Sequence, residues 1–206
     1  LSSQVMVVLD ELSQTFSAYQ QRQQLHCLDN CGACCNKPDI EVTALEMLPL
    51  ALHFFDQGTA EAELDALESY SGFACKHYQR QSLDGHQGRC TVYHQRPGLC
   101  RMFGVAGYKS KSDMPTLSVC GLIKQAVPEK YAASLISLGN HKPPMIAEGQ
   151  ARLAQLDYTL GTKMLPINEA LKLALNKVLT EAYYSGSFDE PIVAALLLRI
   201  QKSPVH

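Results

Sequence analysis

The chain has no tryptophan and no long apolar run. Its longest uninterrupted hydrophobic stretch, residues 192–198, stops at Arg199, well short of the roughly 20 residues that a bilayer-spanning helix needs. Charge is also sparse: 18% of the 206 residues are Asp, Glu, Lys or Arg, against 46% hydrophobic, a balance that suits a packed core and excludes a self-repelling disordered chain. The formal net charge of -2 removes the basic excess that drives non-specific nucleic-acid binding. No G-x-x-x-x-G-K-[ST], G-x-G-x-x-G, G-x-S-x-G or H-E-x-x-H occurs, so nucleotide-binding, serine-hydrolase and zincin chemistry have no anchor. The apolar run at 6–9 is cut by Asp10 and Glu11, too short for an export-signal core, and the cytoplasm is the expected compartment.

What the chain does have is eight cysteines, four of them in CLDNCGACC at 27–35: Cys27, Cys31, Cys34 and Cys35. Cys75, Cys90, Cys100 and Cys120 follow, and none lies beyond 120. Thiolates are soft ligands, and short loops presenting several of them select zinc or iron over calcium or magnesium. Four disulfides are the alternative arithmetic, but a bridge between adjacent residues is strained and the loop is crowded. Neighbouring side chains diverge along an extended backbone, so Cys34 and Cys35 are expected to serve more than one metal, or a polynuclear cluster. His26 reads as a surface histidine rather than a further ligand, while His77 and His94 are the histidines placed to pair with a thiol.

The remaining pattern is mainly α, with a cysteine-rich metal-binding N-terminal half containing short extended segments, packed on a C-terminal helical scaffold. Residues 1–125 form the cysteine region and 126–206 a helical extension of the same domain. Val5, Val8, Leu9, Leu12 and Phe16 give one apolar face to a helix over 3–24. Residues 39–42 read as extended, and Thr43 with Glu46 makes a capping box for a helix through about Phe55 that contains Pro49. A helix over 59–70 should turn Leu64, Leu67 and Tyr70 inward and leave Glu61, Glu63, Asp65 and Glu68 as a wet face. Gly85 and Gly88 mark a turn that folds Cys90 back towards Cys75, and Thr91, Val92 and Tyr93 are β-prone. Arg96-Pro97 suits a helix start, which would set Cys100 near a helix N-terminus and favour its thiolate. Pro128, Pro143-Pro144 and Pro166 punctuate further helices. The last of these carries Ile167, Leu171, Ala174, Val178 and Ala182 on one face, and an apolar segment from about 189 to 200 reads as buried or dimer-facing.

Between residues 75 and 113 seven basic residues (Lys76, Arg80, Arg89, Arg96, Arg101, Lys109, Lys111) meet two acidic ones (Asp84, Asp113). That excess suits compensation of clustered thiolates. Read as an anion or nucleic-acid patch instead, it is too widely spaced.

CLDNCGACC followed by GRCTVYHQRPGLCRMF resembles the CxxCxxCC, or YkgJ-like, cysteine-cluster family of zinc- or iron-chelating proteins. The family pattern of a cluster ending in Cys-Cys, a T-x-x-E helix start and C-x-x-Y-x-x-R-P-x-x-C-R with an aromatic falls on Cys27, Cys31, Cys34, Cys35, Thr43, Glu46, Cys90, Tyr93, Arg96, Pro97, Cys100, Arg101 and Phe103. One departure is the first gap, three residues rather than two. The resemblance covers about 27–120 and implies a metal site. Through relatives associated with flagellin lysine N-methylation it implies an iron–sulfur cluster and a methyl donor, for which the chain shows no independent motif. The expected function is therefore a metal-binding protein holding zinc or iron through clustered cysteines. A metal-cluster-dependent enzyme (methyltransferase-like or redox) and an anion-binding module are the alternatives.

Overall fold

The computed structural model describes residues 1–111 and 113–186. The segment expected to be buried or dimer-facing at 189–200 lies outside them. The chain is mainly helical: α1 (Ser2–Gln23), β1 (Glu41–Thr43), α2 (Ala44–Asp56), α3 (Ala60–Glu68), β2 (Tyr78–Arg80), β3 (Gly88–Cys90), α4 (Gly98–Met102), β4 (Val105–Lys109), β5 (Pro115–Val119), α5 (Gly121–Ala126), α6 (Pro128–Ile136), α7 (Ile146–Ala154), α8 (Tyr158–Thr162), β6 (Met164–Pro166) and α9 (Ile167–Tyr184).

The apolar spacing in α1 buries Val5, Leu9, Leu12, Phe16 and Tyr19, and Gln24 ends the helix in the left-handed region (φ 54°), its N–H returning to Gln20 O and Gln21 O. This face meets α2 and α4, while α2 also packs along α9. Together they enclose the main core, which runs from Val5 and Phe16 through Leu45 and Met102 to Leu171, Leu175 and Leu179. Both halves of the sequence supply it. A smaller cluster (Tyr19, Leu25, Val105, Leu117, Val119, Ile123) lies under the β4–β5 hairpin.

A three-residue ladder sets the two central helices in place. β1 pairs antiparallel with β6 (Glu41↔Pro166, Val42↔Leu165, Thr43↔Met164), and Ile167 N–H donates to Ile40 O at 2.8 Å. α2 and α9 therefore start from opposite ends of one short ladder.

Three expectations change here. Residues 39–42 are extended only from Glu41, and their partner lies 121 to 125 residues away, beyond any local pattern. Thr91 to Tyr93 do not extend the strand: β3 ends at Cys90 and Tyr93–Gln95 is a single 3₁₀ turn, because the chain must bend to reach Pro97. Tyr70 is 37% exposed, since α3 stops at Glu68 before that face comes round again.

Candidate metal centre

The cysteine loop is laid against the β2–β3 hairpin. Gly32 N–H donates to His86 O (2.7 Å), Gly88 N–H to Asn30 O (3.0 Å), and Cys31 bridges Gln87. The Tyr78 ring is clamped between two glycines: a Cβ on either Gly32 or Gly88 would overlap it. Its hydroxyl reaches Gly85 O at 2.7 Å, closing the far end of the hairpin. Tyr78 stands opposite Cys90 in the ladder and follows Cys75 in a turn (Tyr78 N–H to Cys75 O, 3.0 Å), so the Gly85–Gly88 turn does return Cys90 to Cys75.

The second motif is wired to the first helix. Thr43 and Glu46 form the expected capping box. Glu46, 3% exposed, does more: its Oε2 accepts from Thr43 N–H (2.8 Å) while its Oε1 accepts from Gly98 N–H (2.9 Å). A Cβ on Gly98 would stand 2.9 Å from that same carboxylate oxygen. Arg101 fixes the other side, donating from Nε to Arg96 O (2.7 Å) and from its Nη atoms to His94 O, Asp10 and Ser13. Arg96 lies over the Tyr93 ring, its guanidinium carbon 3.5 Å from the centroid, and borders the cysteines. This is the cation that the basic excess predicts. Lys76, Arg101 and Lys109 instead hold Glu63, Asp10 and Asp113.

These braces place the cysteines around two hollows. Cys34, Cys35, Cys75, Cys90 and Cys100 line an inner cavity of about 30 Å³, floored by Ile40, Met47 and Ile167 and bordered by Arg96 and His77. Cys27, Cys31, Cys34 and Cys120 line an open cleft of about 560 Å³ with Lys37, His86, Phe103 and Ile146. All eight cysteines are free. Cys34 and Cys35 do not diverge: 33–36 is a turn rather than extended chain, and the two thiols hydrogen-bond to each other. Among the described residues no three Cys, His, Asp or Glu side chains already stand in a group that could hold a metal ion.

The electrostatics separate the thiols. The hydrogen bond from Cys35 holds Cys34 down to about 6, with backbone N–H groups and Arg96 assisting against burial. The same hydrogen bond and burial push Cys35 far up. Burial raises Cys75 to about 11, against hydrogen bonds from the His77 and Tyr78 N–H groups, and raises Cys90 against one from Val92 N–H. Cys27 rises to about 11 through burial and the neighbouring charges of Cys34, Cys31 and Cys120. Cys100 corrects an expectation. Burial, with Cys75 and Cys34 nearby, pushes it up strongly, because a helix of five residues has little dipole to oppose desolvation.

Sequence reading missed the cluster beside the inner cavity. Glu63 is not on a wet face: it pairs with Lys76 at 2.7 Å and with His77 Nε2 at 3.2 Å, and His77 stacks on Phe54. Hydrogen bonds from His77 and Lys76 outweigh burial, which alone would raise it, and hold the Glu63 carboxyl below its usual value. The only local signal was the adjacency of Lys76 and His77 to Cys75. His26 is exposed, as expected.

Soft donors, backbone N–H groups aimed at sulfur and one nearby guanidinium fit a thiophilic metal. Thiols gathered in this way are the donor set that a cysteine-rich metal-binding domain would use. Residues 26–121 match the family model "CxxCxxCC: Putative zinc- or iron-chelating domain", so the resemblance carried by the two motifs holds over that segment and supports a metal-binding role. No curated protein and no solved structure matches the chain. No helix among the described residues is long and apolar enough to cross a membrane.

Proposed function

We propose that the chain holds zinc or iron through its clustered cysteines, with the inner cavity as the main centre. The observation that supports this reading is five cysteines on one cavity of about 30 Å³. A single water needs about 10–15 Å³ measured this way, and small-molecule pockets run to about 300–1,000 Å³. The cavity suits an ion or a compact cluster and is far too small for an organic substrate. Cys34, Cys35, Cys75, Cys90 and Cys100 would hold the metal, drawn together and deprotonated on binding, with Arg96 offsetting their charge. Zinc there would brace the fold, and iron, as an iron–sulfur centre, would also supply electron transfer. Eight free thiols suit a reducing compartment, the cytoplasm.

Elemental analysis and an absorption spectrum of anaerobically purified protein test the proposal. Stoichiometric zinc without colour, or iron with sulfide and a brown chromophore, supports it. A metal-free protein whose melting temperature is unmoved by added zinc or iron overturns it.

One observation favours a second reading, a metal-cluster-dependent enzyme of redox or methyl-transfer type. The open cleft of about 560 Å³ next to the cysteines has the volume of a small-ligand site. Calorimetric titration of the metal-loaded chain with S-adenosylmethionine tests the methyl-transfer form, and no heat of binding counts against it.

A further inference from the structure

We infer that the protein has two adjoining metal stations: an inner one of Cys35, Cys75, Cys90 and Cys100, and an outer one of Cys27, Cys31 and Cys120, with Cys34 on the wall between them. This rests on the proposed function and divides it. The two hollows share only Cys34 and Phe103 in their linings, yet each gathers at least four cysteines. Among the described residues Cys34 is the only cysteine that borders both. Four thiolates satisfy a tetrahedral zinc or an iron–sulfur centre, and eight cysteines divided at Cys34-Cys35 supply two such sets.

The outer set is built rather than incidental. Cys27 and Cys120 come from segments 93 residues apart, and Gly104 holds them together. Its φ of +98° suits glycine alone, and a Cβ there would stand 3.2 Å from Cys27 Sγ. Its carbonyl accepts from Cys120 N–H at 2.8 Å. One backbone position thus admits the first cysteine and tethers the last. The extra residue in the Cys27–Cys31 gap leaves Cys27 in the outer set, not outside the site. Lys37 and His86 border this cleft, and Arg96, which borders the inner cavity, also acts on Cys27 across the wall.

Zinc alone, titrated into reduced metal-free full-length chain against a chromophoric chelator, reads the division. The expected result is two equivalents bound in two steps. A Cys27→Ser/Cys120→Ser variant should retain one equivalent and the inner step, and a Cys75→Ser/Cys90→Ser variant should retain the outer one. Circular dichroism of each variant checks that it folds, and Cys27, being exposed, is the safer single substitution if the pair does not. One equivalent in the parent, abolished by Cys75→Ser/Cys90→Ser and unaffected by Cys27→Ser/Cys120→Ser, overturns the outer station and leaves the proposed function standing. Two equivalents lost together in either variant overturn the division in favour of one polynuclear centre. No zinc at all defeats both.

Discussion

Glu46 connects two stretches that sequence reading could only place in order. The capping box was legible because its two residues lie three apart on one helical turn. The bond to Gly98 was not, because it spans 52 residues and depends on a glycine having no side chain. Removing the carboxylate leaves Thr43 N–H and Gly98 N–H buried without partners, at about 1–3 kcal/mol each. Glu46→Ala should therefore lower unfolding stability by roughly 2–6 kcal/mol, read as a shifted denaturant midpoint, with Glu46→Gln losing less. Glu63 makes a second prediction at this scale. Its carboxyl is held below the ordinary 4.5, so the stability it supplies is complete above that pH and is lost as pH falls through the lower folded value. Glu63→Gln should flatten the decline in melting temperature below pH 4.5. An unchanged acid limb would remove Glu63 from the account. For Cys100, spacing revealed the helix start, but burial, with Cys75 and Cys34 nearby, raises its thiol instead of favouring the thiolate.

Among the elements, the cysteine loop has no regular structure of its own and takes its shape from its neighbours. The β2–β3 hairpin presents Tyr78 as a wedge between Gly32 and Gly88. Gly32→Ala must move that ring or the loop, and overpacking of this kind costs about 1–3 kcal/mol. The expected outcome is a variant that folds but retains less metal, measured by the same elemental analysis. Arg101 does the corresponding task for α4 and the turn before it, bonding two backbone carbonyls and α1 from one planar group. Lysine cannot reproduce that fork, so Arg101→Lys should loosen the Arg96–Cys100 segment and lower metal retention. The helices were readable from apolar period and proline: the boundaries agree closely for α1 and α2, and α9 opens directly after Pro166. The β4–β5 hairpin and the β1–β6 ladder were not, since strands of three to five residues leave too little alternation to detect.

For the whole molecule, metal and fold should be linked. Zinc held at 100 times its Kd stabilises the folded state by about 2.7 kcal/mol, roughly 5–10 °C in melting temperature for a domain of this size. A chelator should lower the melting temperature by about that amount for each ion held, and an unmoved transition would separate the cysteines from the fold. Cysteine identity was legible from the start because soft-ligand chemistry follows from residue type. Which thiols share a hollow was not, because the partition depends on long-range packing.

The β1–β6 ladder has a practical consequence. Residues 26–121 carry all eight thiols, yet Ile167 floors the inner cavity that five of them line and β6 pairs the strand that leads into α2. α1 fills the opposite flank of the same core. The cysteine segment is thus not portable. Grafted or expressed by itself it would expose the underside of the inner cavity to water, and a minimal cut that keeps the cavity whole has to run from α1 through α9.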